Sequence, residues 1–440
     1  MGKLIWLLFL LFFSLGSKAQ NKEEFPDTSK AQIGELKYPD TAQALNTISG
    51  ELTPGRGFNL IKTKYGTLNL SIYALVRYLD QTPGTQVWYD HLGNPQAFVG
   101  RNDIYWHRTM LWFSGWLLTP NLTYTATVWT VMTTQQTLVY GNLQYTFNEH
   151  FRFGVGVAPN LCIRSMQGPF PFYMSTDRTM GEETLRAGFT NGAFLTGQII
   201  PRLYYNVMLG DNLSTLGIKA SRETRDLAKS FTLMTMPTTG EFGPRGGLGD
   251  FEYHRNVATR FGVSFTHNRE NRYTDSTASG PDETQVKNTD GVLFFQTGAL
   301  APGVTVIDAN FDMGSIDLGM KYRGFGVELE FFGRKLSNFN ATGPVPIQVI
   351  NDYGYALQIS KMVIPRVLMI YGINSYFWDQ WDRRPWEAGG GVNVYPMRSR
   401  SWRLNLQVDY IYKCSAGGTF GLYTAGQTGT TITIGADILL

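Results

Sequence analysis

Five histidines, His91, His107, His150, His254 and His267, are the side chains of this 440-residue sequence best suited to moving protons near neutral pH. A hydrolase would need a nucleophile with a histidine base and an orienting group within reach. None of the five sits in a Gly-x-Ser-x-Gly, His-Glu-x-x-His or paired-histidine spacing. They read as isolated structural histidines, so no catalytic residue, metal ligand or cofactor is assigned and the chain is not expected to be an enzyme. The glycine cluster Gly246-Gly247-Leu248-Gly249-Asp250 is followed by no strand-to-helix context and is not a phosphate cradle.

The charged residues carry a clearer signal, because they recur at every second position. From Ser315 to Arg334 the chain reads SIDLGMKYRGFGVELEFFGR, with Ile316, Leu318, Met320 and Tyr322 alternating with Asp317, Gly319, Lys321 and Arg323. After Gly324, Val327, Leu329 and Phe331 alternate with Glu328, Glu330 and Phe332, and Gly333 and Arg334 follow. Successive strand side chains point to opposite faces, so this hairpin has one apolar and one charged face. In a transmembrane barrel the apolar face meets lipid and the charged face lines a watery lumen. Arg77, Asp317, Lys321, Arg323, Glu328, Glu330, Arg334, Arg403 and Asp409 are the candidate pore-lining residues. Opposed charges there either set a field across a wet pore or pair between neighbouring strands and fix the wall. A second candidate site is the long connection from Arg164 to Arg186, stiffened by Pro169 and Pro171. Its end concentrates Asp177, Arg178, Glu182, Glu183 and Arg186. Folded inward it would constrict the lumen, the reading preferred here; folded outward it would form a cap or a subunit contact.

The elements that must position these residues are strands. Leu68, Leu70, Ile72, Ala74 and Val76 alternate with Asn69, Ser71, Tyr73, Leu75 and Arg77, and the same period of two marks the segments around Leu122, Phe153, Leu404 and Ile432. Short connections, such as Asn148–His150, Ile200–Arg202, Ile364–Arg366 and Pro396–Ser399, interleave with long ones. The long ones include Asp80–Asn102, Arg164–Arg186, Ser221–Glu252, His267–Asn288, Leu336–Asp352 and Asp379–Trp386. This asymmetry is expected of an outer-membrane barrel with short periplasmic turns and long extracellular loops. A soluble sandwich edge or half-covered sheet gives no reason for it. The expected fold is all-β, a transmembrane antiparallel barrel of about sixteen strands. Tyr105, Trp106, Trp112, Trp116, Tyr376, Trp378, Trp381 and Trp386 fit interfacial girdles.

Composition agrees. Charged residues make up 17% and aromatics 14%, there are 48 glycines, and mean hydropathy is only -0.17. A helical membrane protein would be far more apolar, whereas a barrel exposes only every second strand residue to lipid. The formal charge of +3 includes two lysines of the leader, which leaves the rest nearly neutral and argues against a nucleic-acid partner. Residues 1–19 read as a signal peptide, with Lys3, an apolar run from Leu4 to Leu15, and a small-x-small end at Ser17-Lys18-Ala19. Residues 20–56 are polar and read as a periplasmic extension, and 57–440 as the barrel. Cys162 and Cys414 are too few for a disulfide framework; they either bridge or serve as two small strand residues.

The order of these features resembles the phosphate-selective porin O and P family in its Bacteroidetes-type form, over about Gly57 to Leu440. The similar local pieces are Arg108–Gly115, Gly210-Asp211-Asn212-Leu213-Ser214, Asp317–Gly324 running into Glu330-Phe331-Phe332, and Gly429–Gly435. The resemblance implies a sixteen-stranded, usually trimeric barrel that passes small solutes passively. Its phosphate-specific members guide anions with an arginine ladder and a lysine cluster, and no equivalent is placed in this sequence. The expected protein is therefore a porin of a Gram-negative outer membrane. Its partners are outer-membrane lipids, small hydrophilic solutes or ions, and two further copies of itself in a homotrimer. Anion preference should be weak or absent. The alternative is a closed or plugged barrel that acts as a scaffold for a periplasmic partner.

Overall fold

The computed structural model describes residues 50–131, 136–186, 188–211, 226–271, 286–417 and 422–440. The leader, most of the N-terminal extension and part of the Gly210–Ser214 piece lie outside the described residues. The strands are β1 (Gly66–Thr82), β2 (Asn102–Leu117), β3 (Thr119–Val131) and β4 (Gln136–Thr146). Next come β5 (Arg152–Pro159), β6 (Phe189–Ile200), β7 (Leu203–Gly210) and β8 (Ala228–Thr235). The series continues with β9 (Ala258–Asn271), β10 (Val306–Tyr322), β11 (Phe325–Ala341) and β12 (Val349–Ile364). It ends with β13 (Leu368–Trp378), β14 (Trp386–Val394), β15 (Trp402–Tyr412) and β16 (Gly429–Leu439).

Each strand pairs antiparallel with the next, and β16 pairs back onto β1 from Thr430↔Thr82 to Leu439↔Tyr73. The sheet is thus a closed barrel of 16 strands, the transmembrane architecture expected from the alternation. Closure leaves no open edge in lipid, where an unpaired backbone group would cost several kcal/mol. A short strand, Phe58–Thr63, pairs with Gly66–Leu70 and extends the wall past the end of β16.

Ile316, Val263 and Phe265 face outward and are about half exposed, while Asp317, Ser264 and Thr266 on the other phase are buried inside. Outward aromatics gather near strand ends: Tyr355, Tyr376 and Trp378 in one group, Trp386, Tyr410 and Tyr412 in another. Trp112 departs from the girdle expectation. The β1–β2 register shifts between Leu75 and Val76, opposite the Arg108–Trp106 step, and the extra residue reverses the phase of β2. Trp106 stays outside at 51% exposure, whereas Trp112 is turned inward and is fully buried.

One rim carries tight turns, among them Arg323–Gly324, where both residues have positive φ (45° and 79°). That pair is the two-residue geometry that follows the right-handed twist of a hairpin. The long connections lie at the other rim, with one exception. The stretch read as one long connection from Ser221 to Glu252 in fact contains β8. Apolar Met234 lies on its inward phase with Ser230 and Thr232, while Lys229 and Thr235 lie on its outward phase, so its hydrophobic contrast is weak. What remains, residues 236–257, is a long connection on the short-turn rim, and it folds back into the lumen. Cys162 and Cys414 lie in loops rather than strands; both are buried thiols without a bridge.

Candidate functional site

The loop joining β5 to β6 occupies the middle of the barrel. From Leu161 to Arg186 only Phe172 and Glu183 escape full burial. Two short helices shape it, α1 (Arg164–Gln167) and α2 (Met180–Leu185). The second starts in a capping box: the Thr179 side chain accepts from the Glu182 amide, and the Glu182 carboxylate accepts from the Thr179 amide at 2.9 Å.

The loop crosses the lumen from wall to wall, and its charges meet opposite charges on the strands. At one end Arg164 pairs with Glu328, its amide donates to Glu330 (2.9 Å), and Arg260 pairs with Asp317 beside it. In the middle, the Thr176 amide donates to Gln407 (2.9 Å), and Arg403 donates to the Ser175 carbonyl (3.0 Å) while holding Asp437 (2.6 Å). Asp177 pairs with Arg108, with His107 at 3.7 Å. At the far side the Met180 amide donates to Glu387 (2.6 Å) and Gln358 donates to Glu182 (3.4 Å). Burial alone would raise the Asp177 carboxyl, but Arg108, with help from His107 and Arg178, holds it well below the usual carboxylate range. Burial pushes the Glu182 carboxyl up despite its bonds to Thr179.

The candidate pore-lining residues fall as follows. Arg77, Asp317, Lys321, Glu328, Glu330, Arg334, Arg403 and Asp409 all point inward and are buried. Arg77 donates to the Tyr105 hydroxyl (2.8 Å), Arg334 pairs with Asp352 (2.6 Å), and Asp409 accepts from Gln407. Arg323 lies in the β10–β11 turn and is exposed, because the chain reverses there before its side chain reaches the lumen. In the loop, Asp177, Arg178, Glu182 and Arg186 are buried, and Glu183, partly exposed, pairs with Arg186 at 3.1 Å. Sequence reasoning missed Glu51, Arg108, Arg260, Asp352 and Glu387. Arg260 was recoverable, since Phe261, Val263 and Phe265 alternate with it. Glu387 is masked by Gly389, Gly390 and Gly391, which erase the apolar phase of β14.

Further segments fill the remaining space. Lys287 to Asp290 is buried below the long-loop rim, where His91 meets Asp290 (2.7 Å) and lies tilted against the Trp381 ring. At the short-turn rim Lys321 donates to the Phe242 carbonyl (2.8 Å), and Arg400 holds Glu252 (2.9 Å) and donates to the Gly249 carbonyl (3.0 Å). A small cavity beside Arg164, Arg245 and Arg260 has room for about one water.

Asp250, Glu252 and His254 each bring a ligand atom within 4.8 Å of the others, a spacing that a metal ion could use. Their partners argue otherwise. His254 faces Asp250 through Nδ1 and Glu241 through Nε2 (3.0 Å), and Asp250 also accepts the Gly324 amide (2.7 Å). Glu241, Asp250 and Glu252 are balanced by His254, Lys321 and Arg400, so an added dication would leave the group over-charged. Burial disfavours the His254 proton, but bonds to Asp250 and Glu241 outweigh it and lift the imidazole to about 9. The rise from 6.5 to about 9 corresponds to about 3 kcal/mol of stability. That stability is fully present below about pH 6.5 and is lost as pH rises through about 9. In urea titrations the stability gap between wild type and His254→Gln should therefore shrink between pH 6.5 and 9.5. A gap that stays constant would show that the imidazolium does not hold this loop.

A closed transmembrane β-barrel with a charged loop drawn across its lumen is the class of protein that this fold and site define. No family model matches the chain, and no curated protein does either. Solved barrels do. The outer-membrane expressed OmpT of Vibrio cholerae superposes with a TM-score of 0.54 at 11% identity, covering 86% of this chain and 99% of its own. An anion-selective porin from Comamonas acidovorans gives 0.51 at 11% identity, with 85% and 100% covered. At these identities the likeness is one of fold.

Proposed function

We propose that this chain is an outer-membrane porin, a passive channel for small hydrophilic solutes or ions, whose lumen rests closed by its own loops. The carrying observation is the loop between the fifth and sixth strands, which spans the lumen with Arg164, Asp177 and Arg178 each on an opposite charge. Barrels of this strand number leave an aqueous channel once inner obstructions are removed. The fold shared with the Comamonas porin supports the class, and the resemblance to the phosphate-selective porin O and P family implies a homotrimer in a Gram-negative outer membrane. Arg77, Arg108, Arg178 and Arg403 favour a weak anion preference, tempered by Glu387 and Asp409.

A second reading, a permanently plugged barrel serving as a scaffold, is favoured by the burial of the wall itself: Arg77, Lys321, Glu387 and Asp409 are each at most 1% exposed. Current through a planar bilayer under a salt gradient separates the two. Brief ohmic openings between long silent periods support the porin, and the reversal potential reports its charge preference. A folded barrel that stays silent both intact and with the constriction loop removed would overturn the channel reading in favour of the scaffold.

A further inference from the structure

We propose that the segment Gly50–Pro54 is an autoinhibitory latch, with Glu51 as the group that fixes the constriction loop in its closed position. The inference rests on the channel reading above. The segment belongs to no barrel strand, yet it lies inside the lumen. Gly50–Leu52 forms a single 3-10 turn, closed by the Thr53 amide on the Gly50 carbonyl at 3.2 Å. Gly50 has φ +51° and lies so close to the loop that a Cβ would stand 2.6 Å from the Met166 carbonyl oxygen.

Three bodies hold the segment. The wall holds it through Trp112, whose Nε1 donates to the Glu51 carbonyl at 2.9 Å, and through Ser71, whose Oγ accepts the Gly55 amide at 2.9 Å. The constriction loop holds it through Arg178, paired with the Glu51 carboxylate; the two side chains are 1% and 0% exposed. The short-turn-side loop holds it through Arg245, which donates to the Pro54 carbonyl.

The charge count explains why Glu51 matters. Arg108 and Arg178 are buried guanidiniums that act on each other electrostatically, and both need carboxylates. The loop supplies Asp177, which pairs with Arg108. Arg178 otherwise contacts Ser165 (3.1 Å to Oγ) and Met166 of its own loop, so its carboxylate comes from Glu51. Without it, two buried cations share one anion, a state that is relieved by admitting water to the lumen. Release of the latch breaks no rung of the barrel sheet, because the segment makes no strand pairing. Its pivot is the stretch Gly55–Gly57, where Gly57 has φ +60° and a Cβ would meet the Leu70 carbonyl oxygen at 2.1 Å.

The test is the open fraction in single-channel records of the full-length chain. Glu51→Gln should raise it on the order of a hundredfold, up to saturation, at unchanged unit conductance, as expected when a buried cation loses its partner. The charge swap Glu51→Arg with Arg178→Glu should bring it back toward wild type. Folding of each variant is read separately from its strand circular dichroism. If Glu51→Gln does not fold, Glu51→Asp, which keeps the charge but withdraws it, should give an intermediate open fraction. Folded Glu51 variants with wild-type open fraction, alongside a loop-deleted variant that conducts, would overturn the latch and leave the channel standing. Silence of the loop-deleted variant as well would remove the channel reading, and the latch with it.

Discussion

Removing Pro169–Glu183 is expected to turn a near-silent barrel into one that carries steady ohmic current. The deleted residues include Asp177, Arg178 and Glu182, and with them the pairings to Arg108, Glu51 and Gln358. They also include Thr176 and Met180, whose amides donate to Gln407 and Glu387 on the far wall. Once these partners are gone, Arg108 of β2 is left without its carboxylate, and Glu387 of β14 keeps only the Ser375 and Tyr423 hydroxyls. Desolvated ions without partners are costly enough that hydration of the lumen follows. None of the removed residues belongs to a barrel strand, so the 16-strand ladder persists. Single-channel recording is the measurement, with strand circular dichroism as the check on folding. Unchanged silence in a folded barrel would overturn the channel reading in favour of the scaffold.

The second large effect concerns the wall. Arg334 of β11 lies directly across from Asp352 of β12, and both side chains are at most 1% exposed. Two contacts run from the guanidinium to the same carboxylate oxygen, at 3.0 and 2.6 Å, and a third reaches the Lys287 carbonyl at 2.7 Å. The pair therefore joins two neighbouring strands and anchors an inward loop. Asp352→Ala should lower the unfolding free energy by about 3–5 kcal/mol, because it leaves a buried guanidinium unpaired. Replacing both partners with apolar residues of similar size, Arg334→Met with Asp352→Leu, should recover most of the loss, since no orphaned charge remains. Urea unfolding in lipid vesicles measures both. A loss below about 1 kcal/mol for Asp352→Ala, the range of exposed pairs, would mean that water already reaches this site.

Much of the barrel was legible because strand geometry is local. Ile316 and Asp317 are neighbours in sequence and lie on opposite faces whatever else the chain does. The same holds for Leu404 and Arg403, so the phase of each strong strand, and hence the inward charges, followed from a period of two. Exceptions arise where the local pattern is interrupted. The bulge beside Trp106 reversed the phase and carried Trp112 inside, and the turn at Arg323–Gly324 took Arg323 out of the lumen. The weak contrast of β8 hid a whole strand.

The candidate site was legible in part for the same reason. The charges of the Arg164–Arg186 loop could be seen, but not what they would meet. Arg164 finds Glu328 across 164 positions, Arg178 finds Glu51 across 127, and Arg108 finds Asp177 across 69. Nothing in the polar residues ahead of the barrel distinguished Glu51, since burial is a property of surroundings that exist only after closure. The sequence by itself determined the strongly alternating strands, their faces and a closed sheet of about sixteen strands, because side-chain alternation and the need to pair every backbone group in lipid act residue by residue. Tertiary structure decided that the lumen is filled rather than open. The free energy of a buried charge depends on which partner reaches it, and those partners come from segments remote in the chain.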